Sequence, residues 1–271
     1  MHFVPAIVPS SERIEPAWWF AFRDSKLLFK LAGEAALIPC VADLAELNLK
    51  PIRKQYLGKL DGRPCYSSEL SDDAVAPEGM TFGELRSLFG LLEEDFFWLA
   101  GRAIQIVNWD QTHQYCGRCG TPSETKTDER AKICPKCGLL HFPRISPAII
   151  VAVLKDNKIL LARANRFPHG LYSVLAGFVE PGETLEDCIK REVKEEVGVG
   201  LKNICYFGSQ PWPFPHSLMI AFIADYAGGK ITIDETEIAD AGWFTAHNLP
   251  RIPDKASIAR RLIDWFVAKY Q

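Results

Sequence analysis

The spacing of apolar residues changes along the chain and marks out three regions. Over residues 1–111, runs such as Trp18-Trp19-Phe20-Ala21-Phe22 and Lys26-Leu27-Leu28-Phe29 sit between turn signals at Asp61-Gly62 and Pro77 to Gly79. These predict short strands. Helical spacing follows, starting at Thr81 as an N-cap with Glu84 three residues on, passing through Leu85, Leu88, Phe89 and Leu92, and resuming from Glu94 to Trp109. Residues 112–143 show little apolar periodicity and become rich in Cys, Gly, Thr and Lys, so something other than an apolar core must hold them. From residue 144 to 271 a third region opens on the β-branched run Ile145–Leu154. It turns at Asp156-Asn157 and continues in a second strand, Lys158–Arg163. No internal repeat is visible.

The clearest element lies between Thr184 and Gly198. Thr184 is placed to cap a helix, Asp187 to act as a shorter capping-box partner, and Gly198 to take the left-handed C-terminal position, which predicts a helix over Leu185–Val197. At 100° per residue, Leu185, Cys188, Ile189, Val193 and Val197 define its buried face. Glu192 and Glu196 fall inside that face. Burying two unpaired carboxylates one turn apart costs several kcal/mol, which a purely structural helix avoids. A hard divalent cation such as magnesium or manganese removes the conflict, and Glu195 at the edge of the face can join the cluster. A solvated helix laced by pairs such as Glu186 with Lys190 and Arg191 with Glu195 is the bland alternative, but here the acids interrupt the apolar stripe rather than oppose it.

Composition narrows the partners. A net charge of −3 with no run of five or more like charges supplies no polybasic arm for nucleic acid or membrane. No stretch approaches the ~18 apolar residues of a membrane span. The N-terminal Met1–Ser10 has no basic region followed by a long apolar stretch, and the C-terminal Val-Ala-Lys-Tyr-Gln matches no address or lipidation signal, so a cytoplasmic protein is expected.

Four of the eight cysteines, Cys40, Cys65, Cys188 and Cys205, are scattered among apolar residues and read as reduced packing residues. The other four form two C-x-x-C knuckles, Cys116/Cys119 and Cys134/Cys137, with fourteen residues between them. A tetrahedral four-thiolate zinc site explains them. With all four positions filled by sulfur, this zinc has no place for water and is structural. A zinc ribbon can also contact RNA, a reading weakened by the missing basic run.

From Gly177 to Val199 the residues resemble the Nudix box. Gly, five residues, Glu, seven residues, then Arg-Glu-apolar-x-Glu-Glu-x-Gly-apolar are matched at every defined position. The resemblance implies an α/β fold, an α/β/α sandwich with a mixed sheet, preceded by an α+β N-terminal domain and the ribbon. It implies cleavage of a nucleoside diphosphate linked to another group. Glu192, Glu195 and Glu196 would hold magnesium or manganese, and Arg191 would orient them through an ion pair. Hydrolysis needs an activated water, and Glu196 is the expected base.

Ser209-Gln210-Pro211-Trp212-Pro213-Phe214-Pro215-His216-Ser217 reads as a proline-stiffened loop that presents aromatic rings for base stacking. Shortly after a Nudix box, this stretch resembles the signature of the NADH pyrophosphatase subfamily, which also carries a four-cysteine ribbon ahead of the Nudix domain. The resemblance implies that Gln210, Pro211, Trp212, Pro213, Phe214, Pro215, His216 and Ser217 contact a dinucleotide and that Phe142 and Phe178 sandwich its adenine. It makes Glu237 and the Ala176 carbonyl further metal ligands, and Glu129, Ala259, Lys26 and Arg86 further substrate contacts. It also implies a homodimer. The expected reaction converts NADH or NAD+ to AMP and nicotinamide mononucleotide, with NAD-capped RNA as a further substrate. A non-catalytic nucleotide sensor or nucleic-acid-binding protein on the same scaffold is the alternative, though such a protein has no need of the complete set of acids.

Overall fold

The apolar runs of the N-terminal region form strands, as their spacing predicts. The computed structural model describes residues 1–9 and 15–271 and divides into two units, Met1–Arg144 and Ile145–Gln271. Ser10, the end of the N-terminal stretch considered above, lies outside the described residues.

In the first unit one mixed sheet contains β1 (Phe3–Pro5), β2 (Ala17–Arg23), β3 (Lys26–Ala32), β4 (Ala35–Leu37), β5 (Cys40–Val41), β6 (Pro51–Leu60), β7 (Arg63–Leu70) and β8 (Met80–Glu84). Its order is β1-β6-β7-β2-β3-β4, with β5 added on β2 and β8 on β3, and β2 with β7 is a parallel pair. Asp61 and Gly62 both take positive φ (48° and 81°), the geometry of a tight hairpin turn between β6 and β7. Helix α1 (Glu94–Thr112) packs on β2, β6 and β7 through Phe97, Ala100, Ile104 and Val107.

The helix expected from Thr81 does not form. Thr81 lies in β8 opposite Phe29, and only Leu85–Leu88 make a short 3-10 turn, with no side-chain cap at Glu84. Two features favour the strand. The edge of β3 offers ladder bonds from Lys26 to Lys30, and Gly83 alone fits there, since a Cβ would stand 2.9 Å from the Phe29 ring. Gly90 at φ +82° then breaks any continuation.

The cysteine-rich segment forms a small sheet of β9 (Glu124–Thr125), β10 (Lys132–Ile133) and β11 (Leu140–His141). It is tied to the rest of its unit by buried polar contacts. Lys132 Nζ meets Asp110 Oδ1 of α1 at 2.7 Å, both side chains nearly fully buried, and Gln55 and Gln114 donate to the same carboxylate at 2.9 and 2.8 Å. Arg130 Nη2 donates to the carbonyls of Ala6 (3.1 Å) and Tyr56 (2.8 Å).

The second unit is the expected α/β/α sandwich. Its mixed sheet runs β15 (Gly200–Trp212), β16 (Ser217–Gly228), β12 (Ser146–Lys155), β13 (Lys158–Ala164), β17 (Ile238–Thr245), with β14 (Leu175–Phe178) paired to β12. Strand β12 shows why the run Ile145–Leu154 is apolar throughout. Ile149, Val151 and Val153 face helix α2 (Leu185–Val197), while Ile150, Ala152 and Leu154 face α3 (Ile258–Tyr270). Helix α2 spans the predicted residues. Thr184 Oγ1 accepts from the Asp187 amide at 3.2 Å, and Gly198 closes the helix at φ +76°. Asp187 completes no capping box; its carboxylate takes the Thr184 hydroxyl instead. Ile189, Val193 and Val197 are fully buried, each contributing roughly 1.5–3 kcal/mol.

Candidate active site

The turn from β14 into α2 gathers the acidic residues around one arginine. Arg191 Nε and Nη2 form a two-pronged bond to Glu183 at 2.7 and 2.9 Å. Nη2 also donates to the Phe178 carbonyl at 3.0 Å, and Nη1 reaches Glu192 (2.9 Å) and Glu195 (3.0 Å). Every donor of the guanidinium is engaged. The pair holds the Glu183 carboxyl down at about 2, and the Glu180 amide, donating to the same carboxylate at 3.0 Å, fixes the turn.

Glu196 has no such partner. The residue is 9% exposed, and its Oε2 is buried without a hydrogen bond. Burial, reinforced by the charges of Glu192 and Glu237, pushes its carboxyl up to about 8. Burial also raises Glu192, although Arg191 opposes the shift. Glu237, exposed in the turn just before β17, comes to the site by backbone bonds: Asp234 N donates to Glu196 O (3.1 Å), Glu237 N to Asp234 O (3.1 Å), and Asn165 N to Glu237 O (2.8 Å). Glu195 is far more open than Glu192 or Glu196, at 59% side-chain exposure.

Gly177 sets how closely Glu192 approaches β14. A Cβ there would lie 1.8 Å from Glu192 Cδ, inside the carboxylate itself. Among the described residues no three of these acids bring oxygens within 4.8 Å of one another, because Arg191 draws Glu192 and Glu195 to itself. The orphaned Glu196 oxygen, the glycine cradle under Glu192 and the all-oxygen donor set nonetheless fit a hard divalent cation. Gly177→Ala is expected to displace Glu192 and weaken manganese binding by about 10- to 100-fold, read by calorimetry, with an unchanged circular dichroism spectrum.

In the first unit the four knuckle sulfurs lie within 4.8 Å of one another, Cys116 with Cys137 and Cys119 with Cys134 at 3.5 Å. Backbone amides face them, Arg118 N on Cys116 Sγ and Cys137 N on Cys134 Sγ, both at 3.4 Å. Four sulfurs at this spacing suit tetrahedral zinc.

The proline-aromatic segment is not a loop. Ser209 to Trp212 end β15, Ser217 starts β16, and only residues 213–216 turn. Trp212 and Phe214 pack edge to face at 5.1 Å, and His216 Nδ1 meets Ser146 Oγ at 3.1 Å. Pro213 and Ser217 are buried; Pro211 and Pro215 are exposed. Gln210 is buried, its amide donating to Ala256 O (2.9 Å) and accepting from Ile258 N (2.7 Å), so its side chain ties the hairpin to α3. Gln210→Ala should cost about 1–3 kcal/mol in a thermal melt, since it strands both buried backbone groups. Ala259 occupies the first turn of α3 with its methyl group in the core, and Phe178 is exposed at the end of β14 beyond Ala176 and Gly177.

The remaining candidates lie in the first unit. Lys26 and Arg86 share one end of the sheet, since Lys26 pairs with Glu84 two residues before Arg86. Glu129 pairs with Lys126 in the ribbon, and Phe142 is exposed just after β11. Glu183, which anchors Arg191, and Gly177, which makes room for Glu192, offer no metal-ligand signal of their own in the sequence, though both are fixed positions of the matched box.

Family models match all three regions: an NADH pyrophosphatase-like rudimentary NUDIX domain over residues 16–109, an NADH pyrophosphatase zinc ribbon domain over 111–142, and a NUDIX domain over 144–266. The NAD-capped RNA hydrolase NudC of Stutzerimonas stutzeri strain A1501 is 47% identical over 226 residues, 83% of this chain and 82% of that protein. Its counterpart in Pseudomonas fluorescens Pf-5 is 50% identical over 222 residues, 82% of this chain and 80% of its own. That of Deinococcus radiodurans is 44% identical over 252 residues, covering 92% and 86%. The chain belongs to the Nudix hydrolases. Within them, its rudimentary domain and zinc ribbon place it in the NADH pyrophosphatase branch. Among the described residues no helix is long and apolar enough to cross a membrane.

Proposed function

We propose that the second unit hydrolyses the pyrophosphate bond of NADH or NAD+ to AMP and nicotinamide mononucleotide, and that the same site removes NAD caps from RNA. The observation that carries this reading is the buried, hydrogen-bond-free oxygen of Glu196 facing the charges of Glu192 and Glu237. Such a concentration of negative charge, of which only Glu192 has a cationic partner in Arg191, is costly unless a cation offsets it, and a cation held there would in turn attract a phosphate. The names of the relatives, NAD-capped RNA hydrolases, support the substrate.

Ala176 through its carbonyl, with Glu192, Glu195, Glu196 and Glu237, would hold magnesium or manganese, which when bound supplies charge neutralisation on the phosphoryl oxygens and an acidified water. Glu196 takes the proton of the attacking water. The new phosphorus–oxygen bond forms as the bridging bond breaks, and the bridging oxygen leaves with its electron pair as the second monophosphate. Arg191 sets the side chains of Glu192 and Glu195 and stays bound to Glu183. The hairpin around Trp212 and Phe214, and Phe178 at the end of β14, offer rings on which bases can stack, and the family resemblance adds Phe142 as a further stacking partner for the adenine. Glu129, Ala259, Lys26 and Arg86 complete the substrate contacts on this reading. On this reading the ribbon zinc is structural, one per chain; the family resemblance supports a homodimer, and a cytoplasmic location completes the proposal.

The test incubates the protein with NADH and magnesium, and separately with NAD-capped RNA, and identifies products by mass spectrometry. AMP with reduced nicotinamide mononucleotide, and 5′-monophosphate RNA, are expected. An enzyme inert on both yet active on another nucleoside diphosphate would overturn the substrate reading.

A further inference from the structure

A site built to receive a pyrophosphate has to meet the negative charge of its substrate as well as that of its own acids. Arg191 cannot do so, because Glu183, Glu192, Glu195 and the Phe178 carbonyl take all its donors. Arg166 is placed differently. It is exposed in the segment between β13 and β14, and among the described residues its guanidinium makes no hydrogen bond or ion pair, lying only 5.5 Å from the ring of its neighbour Phe167.

The backbone beneath it is held firmly against the turn that carries Glu237. Ala164 pairs with Ile238 at a bulge. Asn165 N donates to Glu237 O at 2.8 Å, and Asn165 Nδ2 donates to the carbonyls of Glu235 (2.9 Å) and Thr236 (3.0 Å). Arg166 is the next residue. Its charge is within electrostatic reach of Glu196, where it opposes Glu192 and Glu237. An uncommitted guanidinium on a fixed stem beside an acid cluster is suited to a forked bond with phosphate oxygens.

We propose that Arg166 is a substrate-binding residue of this site, its guanidinium taking non-bridging oxygens of the pyrophosphate from beside the Glu237 turn. This rests on the acid cluster being a pyrophosphate site and adds a residue to it.

The test compares the parent with Arg166→Ala and Arg166→Lys in three measurements: kcat/KM for NADH, calorimetric binding of α,β-methylene-ADP at saturating manganese, and manganese binding alone. Arg166→Ala should lower kcat/KM and weaken the methylene analogue by about 10- to 100-fold, the loss of a charge-assisted contact, while manganese binds as well as before or more tightly. Lysine should restore part of the loss, keeping the charge without the fork. Unchanged binding of the analogue would overturn the proposal. So would a parallel loss of manganese affinity, which would make Arg166 a prop for the Glu237 turn. If the parent cleaves no NADH but binds the analogue through Arg166, the dinucleotide reading fails and this one stands.

Discussion

Glu196→Gln is expected to lose turnover by about 10²- to 10⁴-fold, the usual worth of a general base, and yet to be more stable than the parent at pH 8 in buffer lacking magnesium and manganese. The second half follows from the position of the carboxyl. In the folded protein it is held up at about 8, against 4.5 for an ordinary glutamate. The native state therefore holds this proton more tightly than the unfolded chain. The group costs nothing below about pH 4.5, and its penalty grows as pH rises through the window to about 8. Glutamine cannot ionise and escapes the penalty, on the order of a few kcal/mol at the top of that window. Thermal melts at pH 5 and pH 8 should show the variant's advantage only at the higher pH. Added manganese should raise the parent's melting temperature more than the variant's. A variant no more stable than the parent at pH 8, or one that keeps its activity, would contradict the account.

Cys134→Ser should have an equally large effect on the first unit. Cys134 and Cys116 are almost fully buried, and the strands around them are two residues each, too short to hold a fold. Structural zinc supplies about 10–16 kcal/mol of apparent binding energy in small zinc-dependent peptides, as much as the whole stability of a typical domain. The variant should lose its zinc by metal analysis and become open to protease between the knuckles. The buried Lys132–Asp110 pair would then be exposed to water, loosening the join to α1. Retention of zinc and of the parent's protease resistance would show that the four sulfurs are not its ligands.

What the sequence disclosed depended on how local the signal was. Helix α2 could be read to the residue because Thr184, Gly198 and the apolar stripe all lie within one short segment and agree. The run ending in Leu154 was legible as a strand because both faces of β12 are covered. Thr81 misled because the same residues that cap a helix also fit a strand, and the decision lay with β3, some fifty residues earlier in the chain. The proline-rich stretch misled for a related reason. Prolines argue against a strand, but β15 is at the edge of its sheet, where a missing N–H costs little. The bonds of the Gln210 amide to Ala256 and Ile258 were not legible in the sequence, because those partners lie more than forty residues further along the chain. Glu237 and Arg166 could be placed only once the backbone bonds from Asn165 joined two distant turns.

The central claim is that water attacks phosphorus at the acid cluster and splits the dinucleotide between its two phosphates. Running the NADH reaction in H2(18)O and weighing both products tests it directly. Two nucleoside monophosphates are expected, with a single labelled oxygen in the phosphate of one of them. Free nicotinamide with ADP-ribose, or monophosphates carrying no label, would contradict it.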